Sequence, residues 1–141
     1  MQFKFLFCVF LAAASAVNLV GCGSMVSAPA AGVSPAITDA AVEQVTARAQ
    51  LRWNALLKGD MGVAYQFISP GGRSLMTLEQ YRPRVNTSYW RGAKVKEASC
   101  AAETCDVTVL VEMTIERVKF TSPIKESWIL DAGKWWFVYQ G

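Results

Sequence analysis

Between Asp39 and Leu57 apolar residues recur at three- and four-residue steps, at Val42, Val45, Ala49, Trp53, Leu56 and Leu57, while Glu43, Gln44, Arg48, Gln50, Arg52 and Asn54 take the other sides. A period of 3.6 residues predicts an amphipathic helix of about five turns with one buried stripe. Thr38 or Asp39 can accept a hydrogen bond from the first turn and so begin it, and Gly59 supplies the left-handed residue that ends it. Asp60 can cap a second helix at once, running to about Phe67, where Ser69-Pro70-Gly71-Gly72 should stop it. Thr77-Leu78-Glu79-Gln80 has the spacing of a capping box and signals a third, shorter helix. Pro83, without an N–H to give, should end that helix near Arg82.

After Trp90 the period changes to two. Val107, Val109, Val111, Met113 and Ile115 alternate with Asp106, Thr108, Leu110, Glu112 and Thr114, which predicts a strand with one buried face. A weaker strand runs before it, from Ala93 to Ser99. Two more follow, Ile124 to Leu130 and Lys134 to Tyr139, joined by the turn Asp131-Ala132-Gly133. Four strands in hairpin order make an antiparallel meander, and helices followed by such a sheet make an α+β layer. The join from Ile115 to Ile124 stays open: Val118 and Phe120 could lengthen the strands, while Pro123 argues for a bulge or an edge.

The N-terminus follows a different pattern. Lys4 precedes an apolar run from Phe5 to Val17 interrupted only by Ser15. At about 13 residues the run is too short to span a ~30 Å hydrocarbon core, so a cleaved export signal fits it better than an anchor. Leu19-Val20-Gly21-Cys22 then resembles the lipobox of bacterial lipoproteins. The resemblance implies a signal peptide over 1–21, cleavage before Cys22, lipidation of Cys22 and acylation of its new amino group. Three acyl chains would hold the protein on a membrane, since each buried CH₂ contributes ~0.8 kcal/mol. With Gly23 and Ser24 in place of Asp, the sorting pattern it resembles favours the outer membrane, periplasm-facing. Ordinary secretion is the rival reading, with Ala14-Ser15-Ala16 as its cleavage site. Residues 22–37 are small and uncharged and read as a tether, of about 22 Å if flexible.

Removing 21 of 141 residues leaves room for one domain, over 38–141, and a composition 52% hydrophobic with five Trp is that of a chain that folds. Of the four cysteines, Cys8 leaves with the signal and Cys22 is taken by lipid, which leaves Cys100 and Cys105 as a pair across a hairpin. Facing residues on antiparallel strands are close enough for a disulfide, and an oxidising periplasm would form it. A chain without His has little to share a metal with, and four residues between the cysteines is not a redox spacing. Neither metal nor cofactor is expected.

The stretches Arg52 to Asp60, Ala64 to Pro70 and Gly133 to Tyr139 together resemble the NTF2-like superfamily (SnoaL, ketosteroid isomerase, cystatin-like cone), and within it small bacterial envelope lipoproteins of unassigned role. The resemblance implies three N-terminal helices packed on a curved four-stranded antiparallel sheet, with the long helix in its concave face and a cone between them. Trp53, Leu56, Tyr65, Tyr81, Trp128, Trp135 and Tyr139 would line a pocket there for a small apolar ligand. Isomerase-type members need a carboxylate base beside a Tyr or a protonated acid. Asp106, Glu112 and Glu126 offer carboxylates, but each reads more simply as a solvent-facing strand residue, and no catalytic residue is assigned. The favoured reading is a non-catalytic binding or accessory domain presenting its cone or sheet face to an envelope protein or small ligand. The alternative is an enzyme of isomerase or lyase type acting on a small hydrophobic substrate.

A two-residue period puts Trp135, Phe137 and Tyr139 on one face and Trp136 with Val138 on the other. At least one set must pack in the core; if Trp136 lies on the outer face, it is a candidate partner contact or homodimer seam. Residues 48–96 carry nine cations against Asp60 and Glu79, whereas residues 97–141 are net acidic. Arg73, Arg82, Arg84 and Arg91 are the candidates to face an anionic surface, at ~1 kcal/mol per cation, and the rival is a solvated helical face. No nucleic-acid partner is expected from so modest a net charge, +3 in all.

Overall fold

The long helix α1 spans Pro35–Leu57, three residues ahead of the expected Thr38. A proline is tolerated in a first turn, where its missing N–H would have had no partner. The structure, a computed structural model, describes residues 35–141, with side chains from Asp39 onward. The signal segment, Cys22 and the tether as far as residue 34 lie outside the described residues.

Helix α1 ends as its sequence requires. Gly59 takes φ 75°, and its N–H reaches Leu56 O at 3.0 Å while that of Asp60 reaches Ala55 O at 2.9 Å. This pair of bonds satisfies the last carbonyls in a Schellman motif. Asp60 then turns to the next element, its Oδ1 accepting from Val63 N at 3.0 Å, and caps α2 (Met61–Tyr65). The expected stop at Ser69-Pro70-Gly71-Gly72 is instead a beginning: α3 spans Pro70–Leu75, with Ser69 as its cap. Ser69 Oγ accepts from Gly72 N at 3.1 Å, and proline again occupies a first-turn position. Gly72 is needed there, because a Cβ would come within 2.8 Å of Ile68 Cγ2. The capping box at Thr77 opens α4 (Leu78–Tyr81), and a 3₁₀ turn over Arg82–Arg84 carries the chain past Pro83. One long helix and two shorter ones were expected; the described residues form one long helix and three short ones, the added one being α3.

Strands β1 (Trp90–Ala101), β2 (Thr104–Ile115), β3 (Val118–Asp131) and β4 (Lys134–Val138) form one antiparallel sheet in the order β1-β2-β3-β4. The β2–β3 turn uses Glu116 and Arg117 at φ 48° and 71°, and the β3–β4 turn uses Ala132 and Gly133 at 49° and 73°. Two positive φ values in a two-residue loop match the twist of a hairpin. Pro123 pairs with Leu110 with no break in register. It is tolerated because β4 reaches back only to Ser127, so β3 has a free edge at Pro123. Cys100 faces Cys105 across the β1–β2 hairpin, and the two form a disulfide.

Inward-facing Cys105, Val107, Val109 and Val111 of β2, Trp128 of β3 and Trp135 and Phe137 of β4 meet Val45, Ala49, Trp53 and Leu56 of α1 in one core. Phe137 also bonds outward, its N–H reaching Phe67 O at 2.8 Å and its carbonyl accepting from Ser69 N at 3.0 Å, which covers the outer edge of β4. Among the described residues the core draws on positions from Ala41 to Tyr139; segment 35–141 is expected to fold by itself, which cooperative urea unfolding followed by Trp fluorescence checks.

Candidate functional site

Two charged residues in this core overturn their expected placement. Glu126 was read as a solvent-facing strand residue and Arg52 as part of the polar side of α1, yet they are 5% and 4% exposed. Glu126 pairs with Val107 across β2 and β3, so it shares the inward face with Trp128. Its Oε1 accepts from Arg52 Nη1 at 2.5 Å and from Trp53 Nε1 at 2.8 Å, and its Oε2 accepts from Trp128 Nε1 at 3.0 Å. The Arg52 guanidinium lies 3.7 Å from the Phe137 ring centroid. Burial pushes the Glu126 carboxyl above the usual carboxylate range, with Arg52 and the two indoles pulling it back.

The signal for the pair was present. Arg52 is three residues past Ala49 and four before Leu56, within the apolar stripe, and Glu126 falls at the even, inward positions of Ile124 and Trp128. Each looks like an error in an apolar pattern until the other is set against it.

A cavity of about 320 Å³ opens beside this pair, at the C-terminal end of α1. Trp53, Leu56, Trp90, Ile124, Phe137 and Tyr139 give it apolar walls and Arg84 brings charge to it, while Lys125 meets its rim with its side chain on the outer face of β3, opposite to Ile124 and Glu126. Of the residues expected to line a pocket, Trp53, Leu56 and Tyr139 do so. Tyr65, Tyr81, Trp128 and Trp135 are packed in the core instead. Tyr81 stands between Tyr65 and Tyr139, with ring centroids 5.8 and 5.6 Å away. Its hydroxyl and Arg52 Nε are buried without a hydrogen-bond partner, and burial raises the Tyr81 pKa against the pull of Arg52.

Chemically, Glu126 is poorly suited to abstract a proton. Both its oxygens are occupied by N–H donors, one of them cationic, and a base must turn a free lone pair toward substrate. Asp106 and Glu112 are exposed on the outer face of β2, away from the cavity. Among the described residues no three His, Cys, Asp or Glu side chains cluster as metal ligands would.

The four arginines expected to share an anionic surface fall in three places. Arg82 and Arg84 occupy the 3₁₀ turn. Arg91 donates to Ser88 O and Trp90 O at 2.9 and 3.0 Å, at the start of β1. Arg73 donates from Nη1 to Gln66 Oε1 at 2.8 Å and lies 5.2 Å from the Trp136 ring. Trp136 is half-buried on the outer side of β4, where the sheet otherwise shows mainly polar side chains such as Lys94, Asp106, Glu112 and Lys125. The larger exposed apolar side chains of the sheet, Ile115, Val118 and Phe120, gather at the β2–β3 hairpin tip.

No family model matches this chain, and no curated protein does. Solved structures do match, among them the solution structure of a SEC-C motif containing protein from Rhodopseudomonas palustris, with a TM-score of 0.51 at 14% identity over 62% of this chain and 70% of that one. At that identity the likeness is one of fold alone. The expected membership of the NTF2-like superfamily is overturned: the fold match is to a SEC-C motif protein, and no NTF2-like family model matches. The stretches that suggested it have local explanations. Arg52 to Asp60 is a helix stop joined to a cap, Ala64 to Pro70 is a helix end joined to another cap, and Gly133 to Tyr139 is a hairpin strand. Such pieces recur across unrelated folds.

Proposed function

We propose that this chain is a lipid-anchored lipoprotein of the bacterial envelope whose folded domain binds a small ligand and does not catalyse. The anchor rests on Leu19-Val20-Gly21-Cys22 following the apolar run, and the Cys100–Cys105 disulfide fits an oxidising compartment. The binding reading is carried by one observation: an aromatic-walled cavity whose buried carboxylate already holds three donors. Arg52 is neutralised by Glu126, so Arg84 leaves the cavity electropositive. The ligand class that fits is a small apolar molecule bearing an anionic group. The isomerase alternative would need a free base in this cavity, and Glu126 does not offer one.

Anilinonaphthalene sulfonate, an apolar anion, is a suitable probe. Saturable binding to the folded domain is expected, weakened by Arg84→Gln and abolished by Val85→Trp, which fills the cavity from its half-buried wall. Binding unaffected by Val85→Trp would refute the site. The anchor is tested separately: a Cys22→Ala chain that still yields a membrane-retained product of mature size would sink it.

A further inference from the structure

Around the Trp136 ring the chain gathers cations from three elements. The Lys134 ammonium of β4 lies 4.5 Å from its centroid, the Arg73 guanidinium of α3 5.2 Å, and the Arg48 guanidinium of α1 5.6 Å. Each is within cation–π range, yet one indole does not neutralise three charges. Among the described residues the only ion pair is Arg52–Glu126, so no carboxylate is bonded to any of the three. Their donors are also largely free. Arg48 bonds only through Nε, to Trp135 O at 2.7 Å, and Arg73 only through Nη1, to Gln66. Lys134 makes no hydrogen bond among the described residues.

Like charges held this close repel one another. They are kept here by packing: Arg48 is drawn against the Phe67 ring at 5.0 Å, and Lys134 shares the outer side of β4 with Trp136. The result is an indole at the surface, its N–H donating to Asp131 O at 3.2 Å, ringed by ammonium and guanidinium groups that have spare N–H bonds. Asp131 faces Lys134 across the hairpin, so three cations meet one acid there, and among the described residues none of the three is ion-paired. Indole with Lys and Arg is the combination that suits the headgroup level of a bilayer, where the ring meets the boundary and the cations meet phosphates.

We infer that the face formed by Trp136, Arg48, Arg73 and Lys134 docks on an anionic phospholipid surface. It is distinct from the ligand cavity, which Arg84 serves, and of Arg73, Arg82, Arg84 and Arg91 only Arg73 belongs to it. The docking needs no lipid anchor, although an anchored domain would meet the surface more often.

The test is co-sedimentation of segment 35–141 with phosphatidylcholine vesicles, with and without phosphatidylglycerol. Partitioning is expected to rise with the anionic lipid and to fall away near ~1 M salt, where the Debye length is ~3 Å. Removing one cation should weaken it about fivefold and Arg73→Gln with Lys134→Gln together roughly 25-fold. The matched control, Arg91→Gln with Lys94→Gln, removes the same charge from β1, the opposite edge strand, and should change partitioning by less than about twofold. Brominated phosphatidylcholine included in the anionic vesicles should quench Trp fluorescence in the native segment and not in Trp136→Phe. Equal partitioning to neutral and anionic vesicles overturns the inference. So does equal loss in the control pair, or quenching that survives Trp136→Phe.

Discussion

Replacing Arg52 by Met removes the cation from a carboxylate that is 5% exposed, and the consequence should depend strongly on pH. At neutral pH, breaking a buried pair from one side costs about 3–5 kcal/mol, a large share of the 5–15 kcal/mol typical of a domain. Some of it is lost contact between the guanidinium and the Phe137 ring, 3.7 Å away. The pH dependence follows from Glu126, whose folded-state pKa burial raises while Arg52 opposes the rise. Between its unfolded value of ~4.3 and the raised folded value the native state binds more protons than the unfolded chain, so stability falls as pH rises through that window. Arg52→Met removes the opposing charge, moves the upper end of the window higher and deepens the loss. The variant should therefore lie within about 1–2 kcal/mol of the native protein near pH ~4, a residue of the lost hydrogen bond, and fall further behind toward neutrality. In the double variant Arg52→Met/Glu126→Gln the amide oxygen can accept from only one of the two indoles, because Trp53 and Trp128 bond different oxygens of Glu126; a constant cost remains, and the pH-dependent part should vanish. Urea denaturation followed by Trp fluorescence at a series of pH values measures all three proteins. A deficit in Arg52→Met below ~1 kcal/mol at neutral pH, or one equal at both ends of the range, would refute a buried ionised pair at this position.

Tyr81→Phe removes a hydroxyl that is buried without a partner among the described residues, so it should leave stability unchanged or raise it by up to about 1 kcal/mol; a loss larger than that would mean the hydroxyl is bonded to Arg52, whose charge already opposes the rise that burial gives its pKa. Cys100→Ser with Cys105→Ser opens a short loop and should lower stability by about 2 kcal/mol in the chain-entropy account, with reductant producing a matching drop in the native protein and none in the double variant. Thr77→Ala removes the hydroxyl that accepts from Gln80 N in the capping box, for an expected loss of about 1 kcal/mol in the same denaturation assay.

What could be read from the chain was what neighbours in sequence decide. The stop at Gly59, the cap at Asp60 and the capping box at Thr77 each close a hydrogen bond within six residues, and all three form. The alternation of β2 was legible because every second residue is buried in an unbroken register. Strand β1 was harder, because register shifts near Arg91 and Lys96 break its alternation twice, and a bulge transfers the following side chains to the other face. Ser69-Pro70 misled for a different reason: proline ends one helix and suits the first turn of the next, and only the packing of Gly72 against Ile68 decides between them. The Arg52–Glu126 pair was legible only as two separate breaks in apolar patterns; with its partners 74 residues apart, nothing local joins one to the other.

The same distinction separates the two sites. Arg48 and Arg52 are one turn apart on α1, yet Arg48 reaches the Trp136 ring and Arg52 the Phe137 ring. Consecutive residues of a strand point to opposite faces, so two arginines on adjoining turns end up serving opposite sides of β4. The sequence tally of cations counts them together with Arg73 and Arg84; the fold gives one to a buried carboxylate and leaves another with free donors at the surface. Arg48 also donates to the Trp135 carbonyl and packs on Phe67, so removing it would loosen the seam between α1 and β4 as well as discharge the outer face. Lys134 and Arg73 reach the indole from the solvent side without that second duty to the core. Loss of lipid binding in their variants, with cavity binding of the probe intact, is therefore the result that would separate an outer docking face from a general effect on the fold.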